Sequence, residues 1–468
     1  MILLDRPAST VRLKTFRSFY RRAVGLWSVR DRVEHAEKSP SCGTSAAALE
    51  ATTRRDLLCI GQEDWDEIWR RNQFLLSGLA SAGAVRRILF VERPCDITHG
   101  LRTRALFQGS SEQRARLARA MRGPRRCADT PGLWLLTPFK LLPNGIPLLR
   151  RVNAWLERAQ VKRVMRTLTM QRERYIFWTQ NPEAAHWLAD SSAVCAVYDA
   201  TDDWSAMDGP RRWVEVVRHG QENLARRSDV VLACSRTLFD KWSPLNPKTY
   251  LAPNGVDVAH YARVGQAPLP PDVTHLPRPV LGYTGTVHDE RVDVDLICRV
   301  AVARLDVQFV FIGPNHLGPA ARDRLAALRN VHLLGPRPYR DLPAYMGLFD
   351  ACIIPHRVTP FTESLNPIKI YEYLATGLPI VSTPVATVRE FPDLVYLAHN
   401  AAEFMTGVDA ALAERGDELR RRRQLLAAEN SWQRRVDTVR SALDGRPAAA
   451  LPGAAPDAAP ALAKAANG

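Results

Sequence analysis

Lys369 and Glu372 stand three residues apart in the stretch SLNPIKIYEYLATGLPIVSTP, residues 364–384. The stretch reads as a polar loop, a helix from about Pro367 to Thr376, a Gly-Leu-Pro turn and a buried strand. On a helix, residues three apart share a face. A carboxylate there can accept both hydroxyls of a ribose, and an ammonium can meet a diphosphate. A plain surface ion pair uses the same spacing. Pro367 has a preset φ and lacks an N–H that would have no partner in the first turn anyway. Gly377 ends the helix, and the free amides of such a helix start favour an anion.

Other residues with chemical potential lie where strands should end. Gly282-Tyr-Thr-Gly-Thr286 follows an apolar run, and its glycines let backbone amides approach a phosphate closely. An ordinary strand-to-helix turn has the same composition. Asp64 and Trp65 come just after the first apolar run, and Asp202, Asp203 and Trp204 after a later one. Open α/β sheets place ligands at such edges, although aspartates there also cap helices. His186, His288 and His356 are candidate general bases, and each also fits an ordinary surface or core position.

Two frames are needed to position these groups. Strand-like runs fall at 56–60, 87–91, 175–178, 194–198 and 229–234, and again at 280–284, 307–312, 331–334, 351–354 and 379–382. With helices between them, each series suggests a parallel sheet. Pro268, Pro270, Pro271, Pro277 and Pro279 mark a linker between the series. The expected order is a basic extension and linker over 1–52, a Rossmann-like domain over 53–265, a linker over 266–279, a second Rossmann-like domain over 280–430, a crossover helix over 431–445 and a disordered tail over 446–468. The region 101–173 is arginine-rich and helical in tendency, and the apolar, proline-broken residues 131–149 could cover the core or touch a lipid surface. In the extension, Leu13, Phe16, Phe19, Tyr20, Val24 and Trp27 recur at helical spacing among arginines and a lysine. That is a basic amphipathic pattern, which a helix packed on its own protein or a flexible tail would also show.

Composition narrows the classes. The chain has 468 residues and a formal net charge of +15 at pH 7. That charge attracts nucleic acid, anionic lipid or phosphorylated substrates, but no nucleic-acid motif accompanies it. With 46% hydrophobic and 24% charged residues the chain is globular. Its eight cysteines form no CxxC pair, and Cys59, Cys195, Cys234 and Cys352 lie inside apolar runs. Buried reduced thiols in a cytoplasmic protein are the expectation, without a zinc site. Asp5 and Arg6 interrupt the N-terminus too early for a signal peptide, and no run of about 18 apolar residues offers a membrane span.

Residues 364–384 resemble the donor-site signature of retaining GT-B glycosyltransferases of the large family numbered four. TYLAPNGVDVAHY (249–261), RPVLGYTGTVHDERVDVDLI (278–297), FVFIGP (309–314), NVHLLGPRPYRDLPAYMGLFDACIIP (330–355) and SWQRRV (431–436) agree with it in order. GQEDWDEIWRRNQ (61–73), FVERP (90–94), TQNP (179–182) and YDATDDW (198–204) are similar to bacterial surface-polysaccharide enzymes of the teichuronic-acid type. The resemblance implies a GT-B fold, two Rossmann-like doubly wound domains facing an interdomain cleft. It implies that Gly285, Thr286 and Arg291 face the donor diphosphate, with Lys369 supplying a second charge. Gly313 and the turn from Gly335 to Arg337 would border the base, Ser364, Asn366 and Pro367 would line the donor site, and Glu372 would take the ribose. Asp64, Asp202 and Asp203 are the candidate catalytic residues, placed to bind acceptor or sugar hydroxyls. The family's usual first glutamate is Ser364 here, with Glu363 one residue early, which changes the contacts expected for the transferred sugar. Asp64-Trp65-Asp66 and Asp293-Val294-Asp295 carry the text of the metal motif of the other glycosyltransferase fold, but no metal or other cofactor is expected, because basic residues and helix N-termini can offset the leaving diphosphate.

The expected function is therefore transfer of a hexose, with retention, from a nucleoside-diphosphate sugar to a lipid-linked or polysaccharide acceptor in exopolysaccharide or cell-surface synthesis. The expected location is cytoplasmic, with peripheral contact at the inner face of the membrane and no nucleic-acid partner. A nucleotide-sugar epimerase or hydrolase of the same fold, and a non-catalytic binder of nucleic acid or anionic surfaces, are the alternatives.

Overall fold

The computed structural model describes residues 55–97, 111–142, 147–171, 174–190 and 192–446. The amphipathic pattern at 11–30 and the Ala/Pro-rich tail lie outside these residues. The described chain divides into two units, the first running to Asp66 and from Leu79 to Val197, the second comprising Glu67–Gly78 and the residues from Tyr198 on.

In the first unit, strands β1 (Arg55–Ile60), β2 (Val85–Val91), β3 (Leu133–Leu136) and β4 (Tyr175–Thr179) lie in the order β4-β1-β2-β3. All are parallel, with Leu58 level with Leu89 and with Phe177. Arg125–Arg126 adds a short antiparallel edge to β3. Near-continuous burial along β1 and β4 is what a parallel strand covered on both faces requires. Helix α1 (Arg71–Ser81) begins in the second unit and ends in the first, and α2 (Ser111–Arg122) and α3 (Pro147–Thr167) belong to the first. Leu58, Ile60, Leu89, Val91, Val161 and Phe177 form this unit's core.

Within the apolar text at 131–149, the described residues 131–142 contain a strand of the core rather than a lipid-facing stretch. Leu133, Leu135 and Leu136 are buried as part of β3. Pro131 and Pro138 bracket the run and leave only four residues for pairing, so it reads as broken in sequence although its backbone is satisfied by β2.

Strand β5 (Cys195–Ala200) crosses into the second unit, where β6 (Val230–Ala233) and β7 (Thr249–Leu251) follow in the order β7-β6-β5. Helices α4 (Arg211–Arg227) and α5 (Arg236–Trp242) intervene. The same unit carries a six-stranded sheet of β8 (Val280–Thr284), β9 (Gln308–Ile312), β10 (Val331–Gly335), β11 (Ala351–Ile354), β12 (Ile380–Ser382) and β13 (Tyr396–Leu397), in the order β10-β9-β8-β11-β12-β13. Its pairings are all parallel. Successive residues face opposite sides, so Val310 and Ile312 join one core while Phe309 and Phe311 join the other. Helices α6 (Val294–Ala303), α7 (Pro319–Ala326), α8 (Ile368–Thr376), α9 (Ala401–Ala413), α10 (Glu418–Glu429) and α11 (Trp432–Leu443) complete the unit.

Residues 198–265 are tied to 280–446 by polar contacts within this unit. The Asn254 amide donates to Asn366 Oδ1 at 2.8 Å, the Ser235 hydroxyl to the Ser364 carbonyl at 2.7 Å, and the Asp203 amide to the Ser364 hydroxyl at 3.0 Å. These contacts group the residues differently from a division at the proline linker. All cysteines among the described residues are free thiols, and no described helix is long and apolar enough to cross a membrane.

The C-terminal end of α8 is pinned by Arg423 of α10. Its side chain is buried, pairs with Glu414 through bonds of 2.6 and 2.8 Å, and donates to the carbonyls of Leu394 and Gly377. Removing one member of a buried pair strands the other, at a cost of about 3–5 kcal/mol. Arg423→Met is expected to lower unfolding stability by that amount in urea, and adding Glu414→Met to recover part of it. An unchanged denaturation midpoint in the single variant would show that the pair does not hold α8.

Candidate functional site

The site is built at the start of α8 and the loop after β8, both in the second unit. Pro367 takes the N-cap position with φ −65° and ψ 122°, and Gly377 closes the helix at φ 75°. Lys369 lies in the first turn. Gly285 has φ 121°, a conformation that L side chains rarely adopt, and a Cβ there would sit 3.2 Å from Lys369 Cε and 3.3 Å from its Nζ. Gly313 presses on the same loop, since a Cβ at that position would meet the Gly285 carbonyl oxygen at 2.2 Å. Both glycines are therefore required by close approach.

Two tyrosines hold the loop in place. The Tyr373 hydroxyl accepts from the Thr284 amide at 2.8 Å, and the Tyr283 hydroxyl donates to the Thr286 carbonyl at 3.0 Å. The Lys369 ammonium stands 4.8 Å from the centre of the Tyr283 ring, where the ring face attracts a cation.

The electrostatics of this place set two cations, Lys369 and Arg291, against two carboxylates, Asp202 and Glu372, whose charged forms burial disfavours. Burial and the Arg291 guanidinium push the Lys369 ammonium down to about 7, against the opposing pull of Glu372. Arg291 lies 3.8 Å from Asp202 Oδ1 and 5.8 Å from the centre of the Phe361 ring. Burial pushes the Asp202 carboxyl up, with Arg291 and a 2.9 Å bond from Thr201 opposing. Burial also pushes Glu372 up, with Tyr261 and Lys369 opposing. Burial pushes the Tyr261 and Tyr339 hydroxyls up, and the neighbouring Glu372 charge adds to the shift. His356 is 2% exposed, with Nε2 3.4 Å from the Tyr283 hydroxyl. Burial, Lys369 and Arg291 hold it well below the ordinary histidine range, so it is a neutral core residue. Chemically the group can hold a dianion between two cations and present a carboxylate to neighbouring hydroxyls.

The structure thus brings Gly285, Thr286, Arg291, Gly313, Lys369, Glu372 and Asp202 to one place, with Pro367 at the head of the helix. It turns several other expected residues inward. Ser364 is 1% exposed, its hydroxyl donating to the Phe361 carbonyl at 2.7 Å while accepting from Asp203. Asn366 spends its side chain on Asn254, Tyr371 and Thr387. Arg337 is saturated by Asp272, Tyr345 and the Leu334 carbonyl. Asp203 caps the turn Trp204–Ala206 and pairs with Lys241 at 2.5 Å. In the first unit, Asp64 is ringed by Arg93, Arg116 and Arg119. Buried or backbone-adjacent polar groups must be satisfied locally, and these residues do that work.

The remaining candidates are likewise engaged. Asp293 is the N-cap of α6, and Asp295 pairs with Arg324. Among the described residues no cluster of three or more His, Cys, Asp or Glu side chains is arranged to hold a metal ion. His288 accepts from the Glu290 amide at 3.1 Å, and His186 Nδ1 lies 2.8 Å from the Glu183 carbonyl. Sequence reasoning missed Tyr283 and Tyr373 as loop supports. Their only signal was position, one inside the glycine loop and one beside Glu372, and aromatic residues there ordinarily mean core.

The chain is similar to several known proteins. The family described as Glycosyl transferases group 1 matches residues 278–415. A curated relative from Bacillus subtilis (strain 168), the teichuronic acid biosynthesis glycosyltransferase TuaH, is 26% identical over 252 residues, 50% of this chain. The match spans 63% of that relative's length. HepE of Anabaena, solved in complex with UDP, superposes with a TM-score of 0.53 at 14% identity, covering 83% of this chain and 100% of its own. The α,α-trehalose 6-phosphate synthase of Burkholderia multivorans superposes with a TM-score of 0.58 at 12% identity, covering 84% and 98%. With the Lys369–Gly285–Glu372 constellation falling inside the matched stretch, residues 278–415 of this chain are a Glycosyl transferases group 1 domain, carried on the GT-B fold.

Proposed function

We propose that the protein is a glycosyltransferase that moves a sugar from a nucleoside-diphosphate sugar to an acceptor in cell-surface polysaccharide synthesis. The observation that carries this reading is the Lys369 ammonium lodged against Gly285 with Arg291 beside it. Two cations in a partly buried place, facing carboxylates whose charged forms burial disfavours, suit a diphosphate whose charge grows as the sugar leaves. Glu372, three residues on from Lys369, suits the ribose hydroxyls, and Asp202 suits a hydroxyl of the sugar or acceptor. The likeness to TuaH supports the polysaccharide setting.

The finer reading is transfer with retention. The leaving diphosphate, held by Lys369 and Arg291, helps take the acceptor proton while the new bond forms on the same face of the sugar. No protein nucleophile and no metal enter this scheme. A lipid-linked or polysaccharide acceptor, and peripheral contact with the inner face of the membrane through the basic residues of the N-terminal extension, complete it.

Glu372→Ala is expected to weaken nucleoside-diphosphate-sugar binding by about 1.5–3 kcal/mol, the cost of losing a charged hydrogen-bond partner. Calorimetric titration with a panel of such sugars checks this, and unchanged affinity for the best of them would remove Glu372 from the site.

Affinity should also report the titration of Lys369. The group holds a diphosphate as the ammonium, and in the free protein it loses its proton as pH rises through about 7. Binding is therefore expected to be strongest below 7 and to weaken above it, approaching roughly tenfold per pH unit for a one-proton linkage. Lys369→Arg keeps the charge and should flatten this slope. A wild-type affinity independent of pH between 6 and 9 would contradict the role.

Transfer to acceptor is expected to persist in excess EDTA and to give a product whose anomeric proton couplings match those of the donor sugar. Activity lost to chelator and restored by manganese would overturn the metal-free scheme, and an inverted anomeric centre would overturn retention.

A further inference from the structure

Asp64 follows β1 and Arg93 follows β2, at the C-terminal edge of the first unit's parallel sheet. Arg116 and Arg119 project from α2 three residues apart, on one helical face. The three guanidinium groups converge on the one carboxylate, at 3.2 Å from Arg116, 3.5 Å from Arg119 and 3.5 Å from Arg93. Among the described residues, nearby Glu92 is taken by Arg125 and Asp96 by Lys140. Three guanidinium groups against the single Asp64 carboxylate leave two positive charges over. Asp64 also meets Arg116 and Arg119 through one terminal nitrogen each, while the Nε atoms of both arginines are buried without an acceptor among the described residues. A guanidinium is built to offer Nε–H and Nη–H together as a fork, and a single carboxylate shared among three arginines leaves those forks half used.

We propose that this cluster is a binding site for a phosphate or diphosphate group carried by the acceptor. A phosphate has oxygens enough to engage the forks of Arg116 and Arg119 while Arg93, the most exposed of the three, closes over it. A diphosphate ester brings at least two negative charges, matching the excess, whereas a sugar carboxylate brings one. Asp64 orders the arginines in the empty site and yields its place as the phosphate enters. The proposal rests on the transferase reading for the word acceptor, and on the cluster alone for the anion.

The test titrates inorganic pyrophosphate into the full-length protein, with sodium glucuronate as the carboxylate control. Wild type is expected to bind pyrophosphate at two classes of site. Arg116→Gln/Arg119→Gln should weaken one class by at least about tenfold, the scale of losing charged hydrogen bonds, and leave the class that Lys369→Ala removes. Asp64→Asn, by removing the competing charge, should tighten the first class by about twofold to fivefold. That gain of affinity cannot come from misfolding. Pyrophosphate binding unaltered in the double-arginine variant, weakened by Asp64→Asn, or matched by glucuronate would overturn the proposal. The same double variant should raise the acceptor KM for a diphosphate-linked acceptor and leave nucleoside-diphosphate-sugar affinity intact. If instead wild type binds pyrophosphate at the arginines but binds no nucleotide sugar, the anion site stands and the transferase reading fails.

Discussion

The site depends on one unfavourable arrangement, a buried Lys369 ammonium within the field of the Arg291 guanidinium. Burial and like charge together depress the Lys369 ammonium, which is packed between Gly285 and the Tyr283 ring. Gly285 gives up a side chain to make room for it, and Gly313 gives up another so that the two loops can touch. Tyr283 lies under the ammonium and Tyr373 holds the amide before the loop. Local strain and uncompensated charge of this kind persist where the fold over-determines them, and an anion arriving between the two cations relieves both the repulsion and the desolvation.

What over-determines the site is a buried polar lattice around Asn254. Arg71 donates to Asp199 at 2.9 Å and to the Pro253 carbonyl and Asn254 side chain at 3.2 Å. Arg435 of α11 donates to the Asn254 carbonyl at 3.1 Å, and Asn254 in turn binds Asn366 just before α8. Helix α8 therefore starts where it does because three separate segments would each lose a buried partner if it moved. Buried networks of this kind specify one arrangement more than they add stability.

Much of this was legible in the sequence. The alternating apolar runs located both sheets, and the Pro367–Gly377 punctuation located α8 to within a residue. The text failed where a residue's role depends on what the fold brings to it. Ser364, Asn366 and Arg337 look like ligand groups because they are polar and sit in loops, yet each is consumed by partners far along the chain, among them Asp203, Asn254 and Asp272. Asp64 could not be paired with Arg116 or Arg119 from sequence, since more than fifty positions separate them. Strand β3 was hidden because its four residues, set between prolines, carry no period long enough to read.

The arginine content illustrates the same limit from the other side. A net charge of +15 reads as a surface made for polyanions, but the arginines divide into groups with different physics. Arg71, Arg423 and Arg435 are almost fully buried and act as multidentate donors that replace water for backbone carbonyls and amide side chains. Arg86 and Arg125 neutralise the buried carboxylates Asp56 and Glu92 and contribute nothing to a long-range field. Among the described residues, Arg291 is partly exposed beside Asp202, and the three partly exposed arginines around Asp64 outnumber the one carboxylate they share. Among the described residues, the basic composition thus includes two local places where an anion gains more than screening by solvent would give it. Charge counted along a chain measures neither; charge counted against its buried partners measures both.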